Sequence, residues 1–159
     1  MTITQLLAQD HARLRKDMAE IRRKMPNGSI LKREIDKFIR DLELHETIEM
    51  RFLVTPATLS PIAARIEELT ARIETEHHEI WDQVGKFVEL SKHNDLSELK
   101  SAYSYFLNLA EMHIKLEEEI LFPMVTEYID ILTLEELGRE AEKYLQRFRQ
   151  ESGSAEVRS

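Results

Sequence analysis

Four long stretches of this chain repeat apolar residues at steps of three, four or seven, and in each stretch one histidine stands where the stripe calls for an apolar side chain. Such spacing marks amphipathic helices. The first stripe is Ile3, Leu7, Leu14, Met18, Ile21 and Met25, with His11 filling its gap. The second reads Leu31, Ile35, Phe38, Leu42, His45, Glu49 and Phe52. The third is Ile62, Ile66, Leu69, Ile73, His77, Ile80, Val84 and Phe87. The fourth is Leu99, Ala102, Phe106, Leu109, His113, Glu117, Ile120 and Met124. Ionisable groups inside a bundle are costly unless something compensates them.

The connections between stripes are short. Pro26-Asn27-Gly28 makes a turn, with Ser29 as cap of the second helix. Thr55-Pro56 ends that helix, and Ser60-Pro61 starts the third. His93-Asn94-Asp95 makes the next turn, and Asp95 with Glu98 has the pattern of a capping box. Short connections imply antiparallel neighbours, so residues 1–130 are expected to form an all-α, up-down-up-down four-helix bundle. His11 lies about 14 residues before its turn and His45 about 16 after the next helix starts, which at 1.5 Å per residue sets them nearly level. His77 and His113 balance in the same way about their own turn, so the four histidines are expected in one layer.

A further helix is expected over 131–151, starting at Thr133 with Glu136 completing a capping-box pattern. Leu134, Leu137, Ala141, Tyr144 and Phe148 give it an apolar face for the bundle or for a homodimer. Residues 152–159 read as a disordered tail.

The ionisable pattern occurs twice. Asp10-His11 is followed by His45 and Glu49, and Glu76-His77 by His113 and Glu117; the histidine separations are 34 and 36 residues. A spacing of four puts histidine and glutamate on one helix face, within reach of one ion or of two adjacent ones. One such pair is weak evidence, but agreement in face and level across four helices points to two ions side by side. The absence of cysteine excludes thiolate and cluster chemistry. A net charge of −8 argues against nucleic acid or an anionic membrane as partner. No apolar run approaches the roughly 20 residues of a spanning helix, and no signal-peptide pattern opens the chain, so the plain reading is cytoplasmic. There is no phosphate loop, GxSxG or HExxH. A ferritin-like site needs paired ExxH motifs, and only Glu74 with His77 has that spacing.

The order Gln9-Asp10-His11, His45-Glu46-Thr47-Ile48-Glu49, Glu76-His77, and His113 through Glu117-Glu118-Glu119 to Ile120-Leu121-Phe122-Pro123 resembles the hemerythrin-like, or HHE cation-binding, domain over about residues 5 to 125. That resemblance implies a four-helix bundle around two non-heme iron ions. His11, His45, His77 and His113 would be terminal nitrogen ligands, and Glu49 and Glu117 bridging carboxylates. Such donors suit iron, with manganese or zinc also admitted. The chain departs from oxygen-carrying members in two places. The positions four residues either side of His77 are Ile73 and Trp81, so a second histidine on that helix is missing. The fourth helix offers HxxxE rather than HxxxxD, with Glu118 at the longer spacing. Glu46 resembles the extra carboxylate of iron-sensing members and is the seventh candidate ligand, against the alternative of a solvated glutamate. A carboxylate-rich site favours a higher iron oxidation state, which counts against reversible oxygen carriage.

The expected function is therefore a di-iron protein that binds a small diatomic ligand or peroxide, or senses iron and oxygen status. Two alternatives stand beside it. One is a redox enzyme reducing peroxide or nitric oxide, or donating iron for cluster repair, with an external electron donor. The other is a metal-free helical interaction module using the fifth helix. His78 falls one residue off the stripe as a rim residue, and His93 falls in a loop. Trp81, Phe106 and Met112 read first as core packing and second as the lining of a pocket.

Overall fold

Thr2 opens the first helix. Its hydroxyl accepts from the Gln5 amide at 3.2 Å, and the Gln5 side chain accepts from the Thr2 amide at 2.9 Å, which closes a capping box ahead of α1 (Ile3–Lys24). The computed structural model describes residues 1–27, 32–93 and 95–158. The expected cap at Ser29, the stripe position Leu31 and the turn residue Asn94 lie outside the described residues. Helix α2 begins as Lys32–Glu49, passes through a π-helical turn at Met50–Val54 and ends as Thr55–Thr58. Helix α3 is Ala63–Ser91. Helix α4 runs as Leu96–Leu116, a second π-helical turn at Glu117–Leu121, and Phe122–Tyr128; α5 is Ile131–Arg158. Among the described residues there is no strand.

Both π turns stand just ahead of a proline. A proline ring clashes with the carbonyl four residues back and offers no amide to it. For Pro56 and Pro123 those carbonyls belong to Phe52 and Glu119, inside the two wider turns. The backbone there bonds five residues back, Thr55 N–H to the Met50 carbonyl and Phe122 N–H to the Glu117 carbonyl. Neither proline therefore ends its helix, and α2 continues past Thr55-Pro56.

A π turn also holds one extra residue, which moves the buried face along by one. The fourth stripe was expected to continue through Ile120 and Met124. Instead Leu121 and Val125 are fully buried, while Ile120 is 45% exposed. The cap of α5 also differs from expectation. Asp130 accepts from the Thr133 amide at 2.9 Å and its hydroxyl at 2.6 Å, so the helix begins ahead of Thr133. Asp95 caps α4 as expected, accepting from the Glu98 amide at 3.1 Å.

The core falls into two apolar clusters on either side of a polar layer. One gathers Ile3, Leu7, Ile48, Leu53, Ile66, Ile73 and Leu121. The other gathers Leu14, Met18, Phe38, Phe87, Tyr103 and Phe106. The Tyr103 hydroxyl is satisfied there by donating to the Met18 carbonyl at 2.6 Å. Helix α5 lies across α1 and the π turn of α2, burying Leu134 and Ala141. Gly138 makes this approach close, because a Cβ there would meet the Met1 carbonyl and the backbone of Thr2 and Ile3. Helix α5 continues as helix through Arg158. No helix among the described residues is long and apolar enough to cross a membrane.

Candidate metal centre

The layer between the two clusters holds His11, His45, His77, His113, Glu49 and Glu117, all buried. Helix α1 supplies His11, α3 supplies His77, and α2 and α4 each supply a histidine and, one turn later, a glutamate. Both glutamates sit at the entrance to a π turn.

The rings form two pairs. His11 and His45 have centroids 4.8 Å apart, and His77 and His113 have centroids 4.7 Å apart with their Nε2 atoms at 3.0 Å. Each glutamate lies between the pairs. Glu49 Oε2 is 3.7 Å from His45 Nε2 and 3.6 Å from His77 Nε2. Glu117 Oε1 is 3.3 Å from His11 Nε2 and 3.1 Å from His113 Nε2. Phe122, at the end of the π turn, stacks on the His11 ring at 5.6 Å.

This layer is short of hydrogen-bond partners. Neither carboxylate oxygen of Glu49 or Glu117 has a hydrogen-bond partner, nor has either ring nitrogen of His11. Burial and the adjacent Glu117 push the Glu49 carboxyl well up. Burial also acts on Glu117, but Glu49, His11 and His113 around it outweigh that and hold it well down. Burial, with the charge of His113, lowers the His77 imidazole to about 4. On His113 burial acts downward too, but Glu117 and Glu76 overcome it and raise the imidazole. Buried carboxylate oxygens and imidazole nitrogens without hydrogen-bond partners, gathered in one layer, are a donor set for a cation. Two groups of three are close enough to hold one each: His11, His45 and Glu117, and Glu49, His77 and His113.

The family model of the hemerythrin HHE cation binding domain matches residues 2–125. This chain belongs to the hemerythrin HHE family. No curated protein and no solved structure matches it. Family membership and the buried His/Glu groups together make it a metal-binding helical protein.

Other candidates fall into place around this hemerythrin-type layer. Glu46 is in neither group of three. Its Oε1 is 3.5 Å from His77 Nδ1, the nitrogen on the far side of the ring from Glu49, and its Oε2 accepts from the Trp81 indole. Trp81, Glu43, Thr47 and Met50 line an open groove beside Glu46. Phe106 is core, Met112 is 60% exposed, and His78 and His93 are exposed. Three further carboxylates received no role, or another role, from the sequence. Asp10 Oδ2 bonds His45 Nδ1 at 2.6 Å, Glu76 Oε2 is 3.5 Å from His113 Nδ1, and Glu118 Oε2 is 3.8 Å from His11 Nδ1. Their signal was present in the sequence: each adjoins a residue of the inward stripe.

Proposed function

We propose that this hemerythrin-family chain is a non-heme di-iron protein that binds or senses a small ligand, namely oxygen, nitric oxide or peroxide, or that reports iron status. In this reading His11, His45 and Glu117 would hold one ion and His77, His113 and Glu49 the other, with each glutamate placed to serve either site. The observation that carries it is the set of four buried carboxylate oxygens without hydrogen-bond partners, each glutamate lying between histidines of both pairs. Imidazole nitrogen with carboxylate oxygen suits iron, and manganese or zinc would accept the same donors. Bound iron would supply electron transfer and an open position for a small ligand. The apolar clusters above and below keep water from the layer, and the two carboxylates supply charge that offsets that of the cations.

The test is anaerobic loading with ferrous iron, a count of metal per chain, and an optical spectrum as air is admitted. Two irons with new near-ultraviolet bands are expected. Reversal on removing oxygen would assign carriage, and irreversible oxidation would assign sensing or redox work. Failure to bind two ions of any of the three metals would sink the proposal.

A further inference from the structure

Every histidine of the layer has a carboxylate at its outer nitrogen, and the carboxylate always comes from the preceding helix. Asp10 of α1 bonds His45 of α2 at 2.6 Å. Glu46 of α2 faces His77 of α3 at 3.5 Å. Glu76 of α3 faces His113 of α4 at 3.5 Å. Glu118 of α4 stands 3.8 Å from His11 of α1, which returns the series to its start. Of the four contacts only Asp10–His45 is a hydrogen bond, and His11 Nδ1, His113 Nδ1 and Glu76 Oε2 have no hydrogen-bond partner.

Helix geometry explains why the series closes. Neighbouring residues on a helix point about 100° apart. On α1 and α3 the carboxylate is the residue before the inward histidine. On α2 it follows inward His45, and on α4 it follows inward Glu117. The helices alternate in direction, so one step back on an upward helix and one step forward on a downward helix rotate the same way when viewed from one end. All four carboxylates therefore lean toward the next helix in turn.

Three of the four carboxylates are also held from outside. Asp10 pairs with Arg13. Glu118 accepts from Arg15 at 2.7 Å and Glu46 accepts from Trp81, whereas Arg72 comes no closer than 3.9 Å to Glu76. A carboxylate already bound to a guanidinium or indole is poorly placed to turn inward onto a cation. It is well placed to accept an Nδ1–H and so leave Nε2 as the lone pair facing the layer.

Resting on the metal-binding reading above, we propose that Asp10, Glu46, Glu76 and Glu118 form a closed ring of positioning residues. Each fixes the tautomer and orientation of the histidine on the next helix, and none of them is itself a ligand. Glu46 thereby acts on His77 rather than on the metal.

The experiment compares the full chain with Asp10→Ala, Glu46→Ala, Glu76→Ala and Glu118→Ala, each loaded with zinc(II) and carrying ¹⁵N-labelled histidine. Two ions per chain are expected in every case, with affinity lowered about 10- to 100-fold by competition with a chelator. In each variant the Nδ1–H resonance of one histidine should be lost or moved: His45, His77, His113 and His11 respectively. Asp10→Asn and the three Glu→Gln changes should recover part of the affinity, since an amide oxygen still accepts. That recovery separates positioning from loss of packing. If Glu46→Ala bound only one ion, Glu46 would be a ligand and the ring would be broken. Unchanged affinity and resonances in all four variants of a protein that binds two ions would overturn the ring alone. A wild-type chain that binds no metal would overturn both proposals.

Discussion

His77 and His113 bring their Nε2 atoms to 3.0 Å across the gap between α3 and α4. Two nitrogen donors at right angles around one ion, each about 2.1 Å from it, stand about 3.0 Å apart. With Glu49 at 3.6 Å from the first and Glu117 at 3.1 Å from the second, the pair has the spacing of neighbouring ligands on one cation. Without a cation, two lone pairs at this distance are reconciled only by a proton shared between them. The same six residues should therefore set both the protein's metal affinity and its sensitivity to acid.

Metal should stabilise the fold strongly, because it compensates buried groups that nothing else satisfies. At a free concentration a hundredfold above Kd, one site contributes about 2.7 kcal/mol. For a chain of this size that corresponds to a rise in Tm of roughly 5–10 °C. Calorimetry with and without ferrous iron, repeated after chelation, checks this; equal Tm values would count against a resident cation.

Replacing Glu49 by Gln should move binding and stability in opposite directions. The amide keeps the shape of the carboxyl that burial and Glu117 drive to hold a proton, without the charge penalty. Metal content should fall from two ions to one or fewer. The metal-free variant should gain about 1–3 kcal/mol in urea unfolding at neutral pH. A variant both metal-free and less stable would contradict this account of the pair.

Acid should weaken the metal-free protein through His77. Its imidazole is lowered to about 4 in the fold, from the ordinary 6.5, by burial and by the charge of His113. A folded-state value below the unfolded one means that the unfolded chain binds the proton first. The stability present above about pH 6.5 is therefore lost as pH falls toward 4, a change on the order of 3 kcal/mol. Unfolding measured across this range should show a shallower decline in His77→Gln, and parallel profiles would refute the assignment.

The register of α4 can be read from two adjacent alanine substitutions. Leu121→Ala empties a fully buried site and should cost about 2–5 kcal/mol. Ile120→Ala acts at a position 45% exposed and should stay within about 0.5 kcal/mol. Denaturation of the two variants side by side decides whether the π turn persists in solution, since a regular α-helix would reverse the order.

Gly138 should tolerate no side chain. Gly138→Ala drives a methyl group into the Met1 carbonyl and the first turn of α1, at an expected cost of about 1–3 kcal/mol. Gly85, which has nothing within 4 Å of such a Cβ, is the control, and Gly85→Ala should be neutral or stabilising. Equal thermal shifts in both variants would show that the α1–α5 approach is looser than described.

What the sequence determined by itself is what a repeating period can encode. Steps of three and four residues mark the helices, and short turns make neighbours antiparallel. Equal distances from the turns bring His11, His45, His77 and His113 to one level, with Glu49 and Glu117 one turn further along. The tertiary structure decided what depends on rotation about each helix axis and on which helix lies beside it. The period could not show that Pro56 and Pro123 are absorbed by π turns, so Ile120 was expected where Leu121 is buried. Nor could it show the cap at Asp130, which is three residues from the Thr133 hydroxyl, of equal promise on local rules. Asp10, Glu76 and Glu118 each sit one residue off a stripe, where a sequence cannot distinguish a solvated flank from a contact. Only the alternating direction of packed helices turns that same offset toward the next histidine.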